Sequence, residues 1–354
     1  IVPVIDNYGE LNLAGKNTFS ENSSMAGAIG NSHTGTANIG KDAVFNNNEG
    51  EMGGAIYNQG EFTVQEGAEF STNISTMGGG AIYNSKSNDN GVTTVPDMNV
   101  DSATFTGNYV ETSATQTGGS TSGDMGSGFA TGGAIYNNQA QVTVSNSTFD
   151  GNQAISHFDS DNPSSAGIGG QAQGGAIYSV DGTVTINGGE NAVFKNNAAT
   201  SDGTGRKNTQ GGAIYGKNST INLDSTTGNI VFESSNSADL GKDLYLDGTT
   251  VANINGTNSD YYVEFTGDNS IRGSIESEIL KSGDGGLKLS NGDFSTYEGQ
   301  FTQTGGKTEL NDATLFANSD IQGGQLSLNG ASNISSTGNF KANNSTIAFA
   351  DNSN

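Results

Sequence analysis

The sequence predicts an all-β fold, a right-handed parallel β-helix (β-solenoid) of about a dozen coils with loop insertions. Three observations predict it. A Gly-Gly-Ala-Ile-Tyr-Asn peptide recurs along the chain, a Phe-x-x-Asn peptide alternates with it, and short runs of alternating apolar and polar residues lie between them. The shortest copies follow one another at about 25 residues, enough for three short strands and three turns.

The glycine-rich peptide is complete at residues 53–58, 79–84 and 132–137, shorter at 174–178 and 211–215, and reduced at 27–29. We expect its paired glycines to mark a corner where neighbouring coils pack too closely for a side chain. The isoleucine would point into the core and the tyrosine outward, although alternation also allows the reverse. The motif residues are Gly53, Gly54, Ala55, Ile56, Gly79, Gly80, Gly132, Gly133, Gly174, Gly175, Gly211 and Gly212.

The Phe-x-x-Asn peptide predicts two ladders. Its phenylalanines would stack inside the coils, each contributing about 2 kcal/mol by burial. Its asparagines would turn the corner in the left-handed conformation and hydrogen-bond to the coil above. The clearest copies contain Phe70 and Asn73, Phe105 and Asn108, Phe149 and Asn152, and Phe194 and Asn197; others begin at Phe19 and Phe45, and a stretched copy runs from Phe232 to Asn236.

Insertions interrupt the repeat at a preferred place. Residues 109–131, 153–173 and 198–210 all lie between an asparagine corner and the next glycine pair. Such insertions must emerge on one edge of the solenoid, where repeat proteins often bind partners. A fourth insertion, 85–97, emerges elsewhere. Candidate binding residues on the insertions are Phe129, His157, Phe158, Asp159, Asp161, Arg206 and Lys207.

The repeat changes near residue 239. We predict that residues 1–238 form a β-helix with both motifs and inserted loops, and that residues 239–354 form a plainer β-helical stalk continuous with it. Residues 240–246 are interpreted as an altered copy of the glycine-rich strand, and residues 276–281 as a brief helical turn. The chain begins with Ile1 rather than Met, so we interpret it as a mature fragment or an excised piece.

The composition of the chain limits the classes of partner and of site that it could have. The formal net charge of −24 disfavours nucleic acid and anionic lipid as partners. The chain has no cysteine, which excludes disulfide scaffolds and thiolate metal sites. No apolar run reaches the about 18 residues of a membrane-spanning helix. We expect no metal and no cofactor.

The two motifs in this order resemble the repeats of the chlamydial polymorphic outer-membrane protein family and of related autotransporter passenger domains. The resemblance covers about residues 19–246, and the remainder is similar to a generic autotransporter β-helix. Chlamydial members commonly contain cysteines, and this chain has none. The resemblance implies a virulence-associated adhesin at the cell surface of a Gram-negative bacterium, outer-membrane or secreted. It also implies a passenger that is not itself membrane-inserted and is tethered by a C-terminal β-barrel outside these residues.

Two alternatives to an adhesin stay open: a carbohydrate-active β-helix enzyme (polysaccharide lyase or hydrolase) and a purely structural stalk. With only His33 and His157, no Ser-His-Asp set can be assembled, and we expect no catalytic residues. For the enzyme alternative, Asp243 and Asp247 could lie close together in space as a pair of carboxylates. The carboxylates at 157–161 could hold Ca²⁺ or form an acid pair, but we favour a solvated loop tip.

The expected partner is a host-cell surface protein or glycan, and self-association stays open. Tyrosines of the glycine-rich peptide could form an exposed recognition stripe, but we favour a structural ladder stacked between coils. These tyrosines are Tyr57, Tyr83, Tyr136 and Tyr178.

Overall fold

The computed structural model describes residues 2–89, 92–116, 129–160, 168–202 and 206–350. Over these residues the chain is all-β, with no helix, and it winds through three long parallel sheets that we call sheets 1, 2 and 3. Sheets 2 and 3 each contain 12 strands, one per coil. The predicted parallel β-helix of about a dozen coils is therefore confirmed.

Sheet 1 is formed mainly by the glycine-rich peptides and contains 9 strands. Ile56 pairs with Ile82, and Ile82 with Ile135, so each isoleucine lies on the one in the next coil. All three are fully buried, which confirms their predicted inward orientation. The strands are Ile5–Asn7, Ile29–Asn31, Ile56–Asn58, Ile82–Ser85, Ile135–Asn138, Ile177–Val180, Ile214–Lys217, Leu244–Asp247 and Ile271–Gly273.

Sheet 2 is formed by the alternating segments. In the strand of Gln141–Ser145, Val142 and Val144 are buried while Gln141 is exposed, the period-two pattern of a strand with one buried face. The strands are Glu10–Leu13, Thr36–Ile39, Glu61–Val64, Asp97–Asp101, Gln141–Ser145, Thr183–Asn187, Thr220–Asp224, Val251–Ile254, Glu278–Lys281, Gln300–Gln303, Ser319–Ile321 and Phe340–Ala342.

Sheet 3 carries the phenylalanines of the second motif. Its first seven strands have 3 residues each, and those that start at Tyr262 or later have 4 or 5. The strands are Thr18–Ser20, Val44–Asn46, Glu69–Ser71, Thr104–Thr106, Thr148–Asp150, Val193–Lys195, Ile230–Phe232, Tyr262–Thr266, Gly286–Ser290, Lys307–Asn311, Gln325–Asn329 and Thr346–Phe349.

Two smaller parallel sheets project from the corner between sheets 3 and 1. The outgoing sheet contains Glu49–Met52, Ile74–Gly78, Tyr109–Gln116, Gln153–Ser160 and Ala198–Ser201, and the returning sheet contains Phe129–Thr131, Ile168–Gln173 and Arg206–Gln210. Together they form what we call the lateral extension. The fourth insertion forms a separate antiparallel hairpin of Ser87–Asp89 and Val92–Thr94.

The core lies between sheets 1, 2 and 3 and is aromatic along most of its length. Eight phenylalanines, from Phe19 to Phe265, stack one per coil with ring centroids 4.6 to 5.0 Å apart and planes within 12°. Leu289, Leu310 and Leu328 continue the column. The predicted phenylalanine stack is confirmed, because parallel strands in register place equivalent side chains directly above one another.

Two local predictions are wrong. Residues 278–281 form a strand of sheet 2 rather than a helical turn, because Ile279 and Lys281 alternate inward with the pairing of the neighbouring coil. The left-handed residue at the sheet 3 corner is the one before the ladder asparagine, as at Asn47 and Thr72 with φ of 52° and 53°. The ladder asparagine keeps its side chain free to hydrogen-bond along the axis.

Candidate recognition edge

The asparagine that ends each Phe-x-x-Asn peptide forms a buried ladder at the corner from which the lateral extension leaves. The Asn108 Nδ2 donates to Asn152 Oδ1 at 3.0 Å and to the backbone carbonyl of Phe70 at 2.8 Å. The Asn108 Oδ1 in turn accepts bonds from the backbone N–H and Nδ2 of Asn73. The same pattern links the asparagines from Asn22 to Asn236. Each coil therefore closes its corner with an amide from the next coil.

The ladder ends on a carboxylate. Asp243 takes the alanine position of the last glycine-rich copy, accepts a bond from Asn236 Nδ2 at 2.8 Å and accepts another from the hydroxyl of Ser270. Burial raises the pKa of Asp243 to about 7. Asp247 instead accepts a bond from the Tyr215 hydroxyl at 2.7 Å, so the two aspartates engage different partners.

The paired glycines lie where coils approach most closely. The first glycine, such as Gly79 with φ of 62°, takes the left-handed conformation. A Cβ on the second, Gly80, would overlap the carbonyl oxygen of Gly133 in the next coil. The predicted close approach is confirmed at this corner, which brings the chain from the lateral extension back into sheet 1.

The tyrosines of the glycine-rich peptides form a covered ladder rather than an exposed stripe. Rings from Tyr57 to Tyr245 stack along the axis with centroids 4.5 to 5.6 Å apart, and they lie outside the main core cluster. Tyr83 and Tyr136 are only 6% and 2% exposed. Burial raises the pKa of both hydroxyls. The interpretation as a structural ladder is confirmed. The alternative of an exposed recognition stripe is wrong for Tyr83 and Tyr136, because both rings are covered.

The lateral extension covers that ladder. Gly78, at the end of an outgoing strand, is so placed that a Cβ would lie 3.0 Å from the Tyr136 ring and 3.3 Å from the Thr131 hydroxyl. Thr131 pairs with Gln173, and Gln173 with Gln210, to which it donates a side-chain bond of 2.8 Å. The ends of the returning strands thus lie against the tyrosine face of sheet 1.

The lateral extension has a small core of its own. Val110, Ala154 and Ala199 from the outgoing sheet pack with Ala130 and Ala172 from the returning sheet, and all five are buried. The insertions were expected as loops, but the described parts of all three form strands that stack in parallel, with one shift of register between Ile168 and Gln171. The described strands of the three insertions do emerge at one edge, as predicted.

His157 joins three coils of the outgoing sheet. Its Nε2 lies 2.8 Å from Glu111 Oε1, and its Nδ1 lies 2.7 Å from Asp202 Oδ2. Carboxylates only accept hydrogen bonds, so both ring nitrogens can donate only when the imidazole is protonated. The hydrogen bond to Glu111 is the main cause that raises the pKa of His157, followed by the bond to Asp202.

The predicted site residues are distributed along the lateral extension. Phe129 is half-buried in a returning strand and pairs with Gln171. His157, Phe158 and Asp159 lie in Gln153–Ser160, so His157 is in a strand rather than at a solvated tip. Arg206 and Lys207 lie in Arg206–Gln210, with Arg206 paired to Ile168. Asp161 lies outside the described residues.

Glu111 and Asp202 were missed as partners of His157. A sequence signal existed for one of them: His157 and Asp202 stand at the same offset from the ladder asparagines Asn152 and Asn197. Glu111 stands at a different offset from Asn108 and reaches the histidine diagonally across the sheet. Within the described residues, no group of three or more His, Asp or Glu side chains is arranged to hold a metal ion.

The comparison with protein families identifies the repeats. Residues 146–180 and 191–217 match the Chlamydia polymorphic membrane protein repeat, and both segments contain one Phe-x-x-Asn and one glycine-rich copy. The suspected repeat family is thereby confirmed. No curated protein and no solved structure matches the chain. Over the described part of the chain, no helix is long and apolar enough to cross a membrane.

Proposed function

We propose that this chain, which carries polymorphic membrane protein repeats, is the cell-surface passenger of an autotransporter-type protein from a Gram-negative bacterium and acts as an adhesin. In this proposal the β-helix is a rigid rod, and the lateral extension presents its edge to a host-cell surface protein or glycan. The observation that carries the proposal is the stacking of the three insertions into two ordered sheets at one edge.

Several features of the edge support a binding role over a passive stalk. A stalk requires only that coils close, and the coils without insertions, such as the one containing Glu49–Met52, close with a short strand. The three inserted strand pairs add a second core beside that of the coils. Stacked coils repeat at about 4.8 Å, so the described strands of the three insertions form one continuous edge.

The test replaces only the segments of sequence between each outgoing strand and the returning strand that follows it, which we call the insertion tips. In one variant, residues 117–128, 161–167 and 203–205 become Gly-Ser segments of equal length, which leaves the strands over the tyrosine ladder intact. In the matched control, residues 86–95 of the separate hairpin are replaced in the same way. Binding of purified, labelled chain to cultured host cells is then measured by flow cytometry.

We expect the tip variant to lose cell binding and the hairpin control to retain it. Circular dichroism and thermal unfolding of both variants check that the rod is unchanged. Equal cell binding by the wild-type chain and the tip variant would overturn the assignment to this edge. Equal failure of all three chains to bind any host cell type would favour the stalk.

A further inference from the structure

A groove crosses the outer face of sheet 3 in the C-terminal coils, far along the chain from the lateral extension. It has a volume of about 1010 Å³ and extends from Tyr262 across the strands that contain Lys288, Glu309 and Gln325 to Thr346. One wall is the segment 257–261, between sheets 2 and 3. The groove begins where the strands of sheet 3 lengthen from 3 to 5 residues.

A missing side chain opens the floor of the groove. Gly286 pairs with Tyr262 on one side and Lys307 on the other, so it occupies the outward column between them. A Cβ at Gly286 would lie 3.2 Å from the Tyr262 Cβ, which a strand residue can accommodate with a small adjustment. Any larger side chain at this position would fill the middle of the groove.

The cations of the groove already have partners. The Lys307 Nζ lies 2.7 Å from Glu309 Oε2, and the Lys288 Nζ lies 3.5 Å from the centre of the Tyr262 ring. Asp260 and Asp284 also line the groove. An anionic ligand would have to displace Glu309 and approach these two carboxylates, so the charge arrangement disfavours an anionic ligand.

The remaining lining is rich in groups that bind polyhydroxylated ligands. Tyr261 and Tyr262 supply half-buried aromatic rings, and hydroxyl and amide groups come from the rest of the lining, which includes Thr226, Thr257, Asn258, Ser259, Gln325 and Thr346. Two pairs of these groups, Thr226 with Thr257 and Gln325 with Thr346, come from neighbouring coils, which repeat at about 4.8 Å. That spacing is close to the length of one sugar unit in an extended chain.

We propose that this groove binds a neutral oligosaccharide along the axis of the β-helix, at a site separate from the recognition edge. Tyr261 would stack against a sugar ring, and the hydroxyl, amide and carboxylate groups would bond to sugar hydroxyls. A peptide is less well matched, because the backbone groups of these central strands are already used in the sheet and the walls offer few apolar pockets.

Saturation-transfer NMR and isothermal titration on the whole chain test the proposal. The probes are cellotetraose and tetra-N-acetylchitotetraose as neutral ligands, and a heparin-derived tetrasaccharide as the anionic one. We expect saturation transfer to the ring protons of at least one neutral probe and weaker binding of the anionic probe. A misfit of methyl size costs about 10-fold or more in affinity, so Gly286→Thr should weaken binding at least that much.

Gly9→Thr is the matched control, because Gly9 has open space around it and lies at the other end of the rod. Tyr261→Ala removes an aromatic wall without touching the floor and should also weaken binding. The proposal is overturned if neither neutral probe binds, if Gly286→Thr binds as the wild type does, or if the anionic probe binds more tightly. Since none of these variants alters the insertion tips, the result is independent of cell adhesion.

Discussion

The N-terminal and C-terminal parts of sheet 3 hold successive coils together in different ways. From Thr18 to Phe232 the strands are 3 residues long, the inward residue is phenylalanine, and an asparagine ladder closes the adjoining corner. From Tyr262 onward the strands lengthen and, after Phe265, leucine replaces phenylalanine in the next three coils. Strands of 3 residues form few backbone hydrogen bonds with the neighbouring coils, and the phenylalanine and asparagine ladders compensate for this. The longer strands form more backbone hydrogen bonds, and their outer face is available for the groove.

The largest expected loss of stability is in the core column of sheet 3. Phe149→Ala should lower the local free energy of opening by about 4 kcal/mol and Leu310→Ala by about 3 kcal/mol. The phenylalanine loses stacking on both sides, and a ring pair contributes about 0.5–1.5 kcal/mol beyond burial. Hydrogen exchange of the flanking coils measures both values, with the exposed Thr104→Ala as control. A larger effect at Leu310 would contradict the comparison.

The asparagines provide the next contrast. Asn108→Ala removes the side-chain partner of the Phe70 carbonyl and of the Asn73 backbone N–H in a buried corner, at a cost of about 3 kcal/mol. Asn311→Ala removes a bond of 2.9 Å from Asn329 that is only partly buried, so we expect about 0.5 kcal/mol. Denaturant unfolding of both variants distinguishes them. Equal losses would mean that the ladder does not close the corner.

Asp243 marks the boundary between the two parts and should make stability depend on pH. Its folded-state pKa, about 7, exceeds that of a free carboxyl, so the stabilisation is present at low pH and is lost as the pH rises through about 7. Asp243→Asn keeps an oxygen for Asn236 and cannot ionise. We therefore expect it to raise the unfolding midpoint more at about pH 8 than at about pH 5. The same increase at both values would show that the carboxyl stays protonated.

The smallest expected effect is at His157, on the surface of the lateral extension. Its folded-state pKa is raised by Glu111 and Asp202, so its stabilisation is complete below the ordinary histidine value of about 6.5 and is lost as the pH rises through the folded-state value. Hydrogen exchange of residues 153–157 should be slower at about pH 6 than at about pH 8, after correction for intrinsic rates. His157→Gln should remove this difference, and the strand around Val142 serves as the reference. A pH effect that survives in the variant would assign it to another group.

The β-helix is well predicted from the sequence, because successive coils repeat the same pattern of residues. A single Phe-x-x-Asn copy is uninformative, but its recurrence in register predicts Phe105 on Phe149 and Asn108 on Asn152. The edge is less predictable. That the insertions share one corner follows from their position in the repeat, whereas the small core of Val110, Ala130 and neighbouring alanines carries no distinctive pattern.

The groove was not predicted because it depends on a side chain that is missing from the outer face of sheet 3. Gly286 is one glycine among 54, and its importance lies in a side chain that the column lacks between Tyr262 and Lys307. The helical turn assigned to residues 276–281 failed for a related reason. A charged Lys281 did not look like a core position, yet its Nζ donates to the carbonyls of Ser282, Gly283 and Gly305 at a buried corner. Local composition cannot show a partner contributed by the next coil.

The asparagine ladder has a consequence for how such proteins diverge. Successive ladder asparagines are separated by 25 residues between Asn48 and Asn73 but by 45 between Asn152 and Asn197, and both pairs bond at 2.9 Å. The bond connects coils and is insensitive to the length of chain between them. Selection can therefore lengthen, shorten or rewrite the segments at the edge while the rod keeps its geometry. The edge of the molecule can therefore change while the scaffold stays the same.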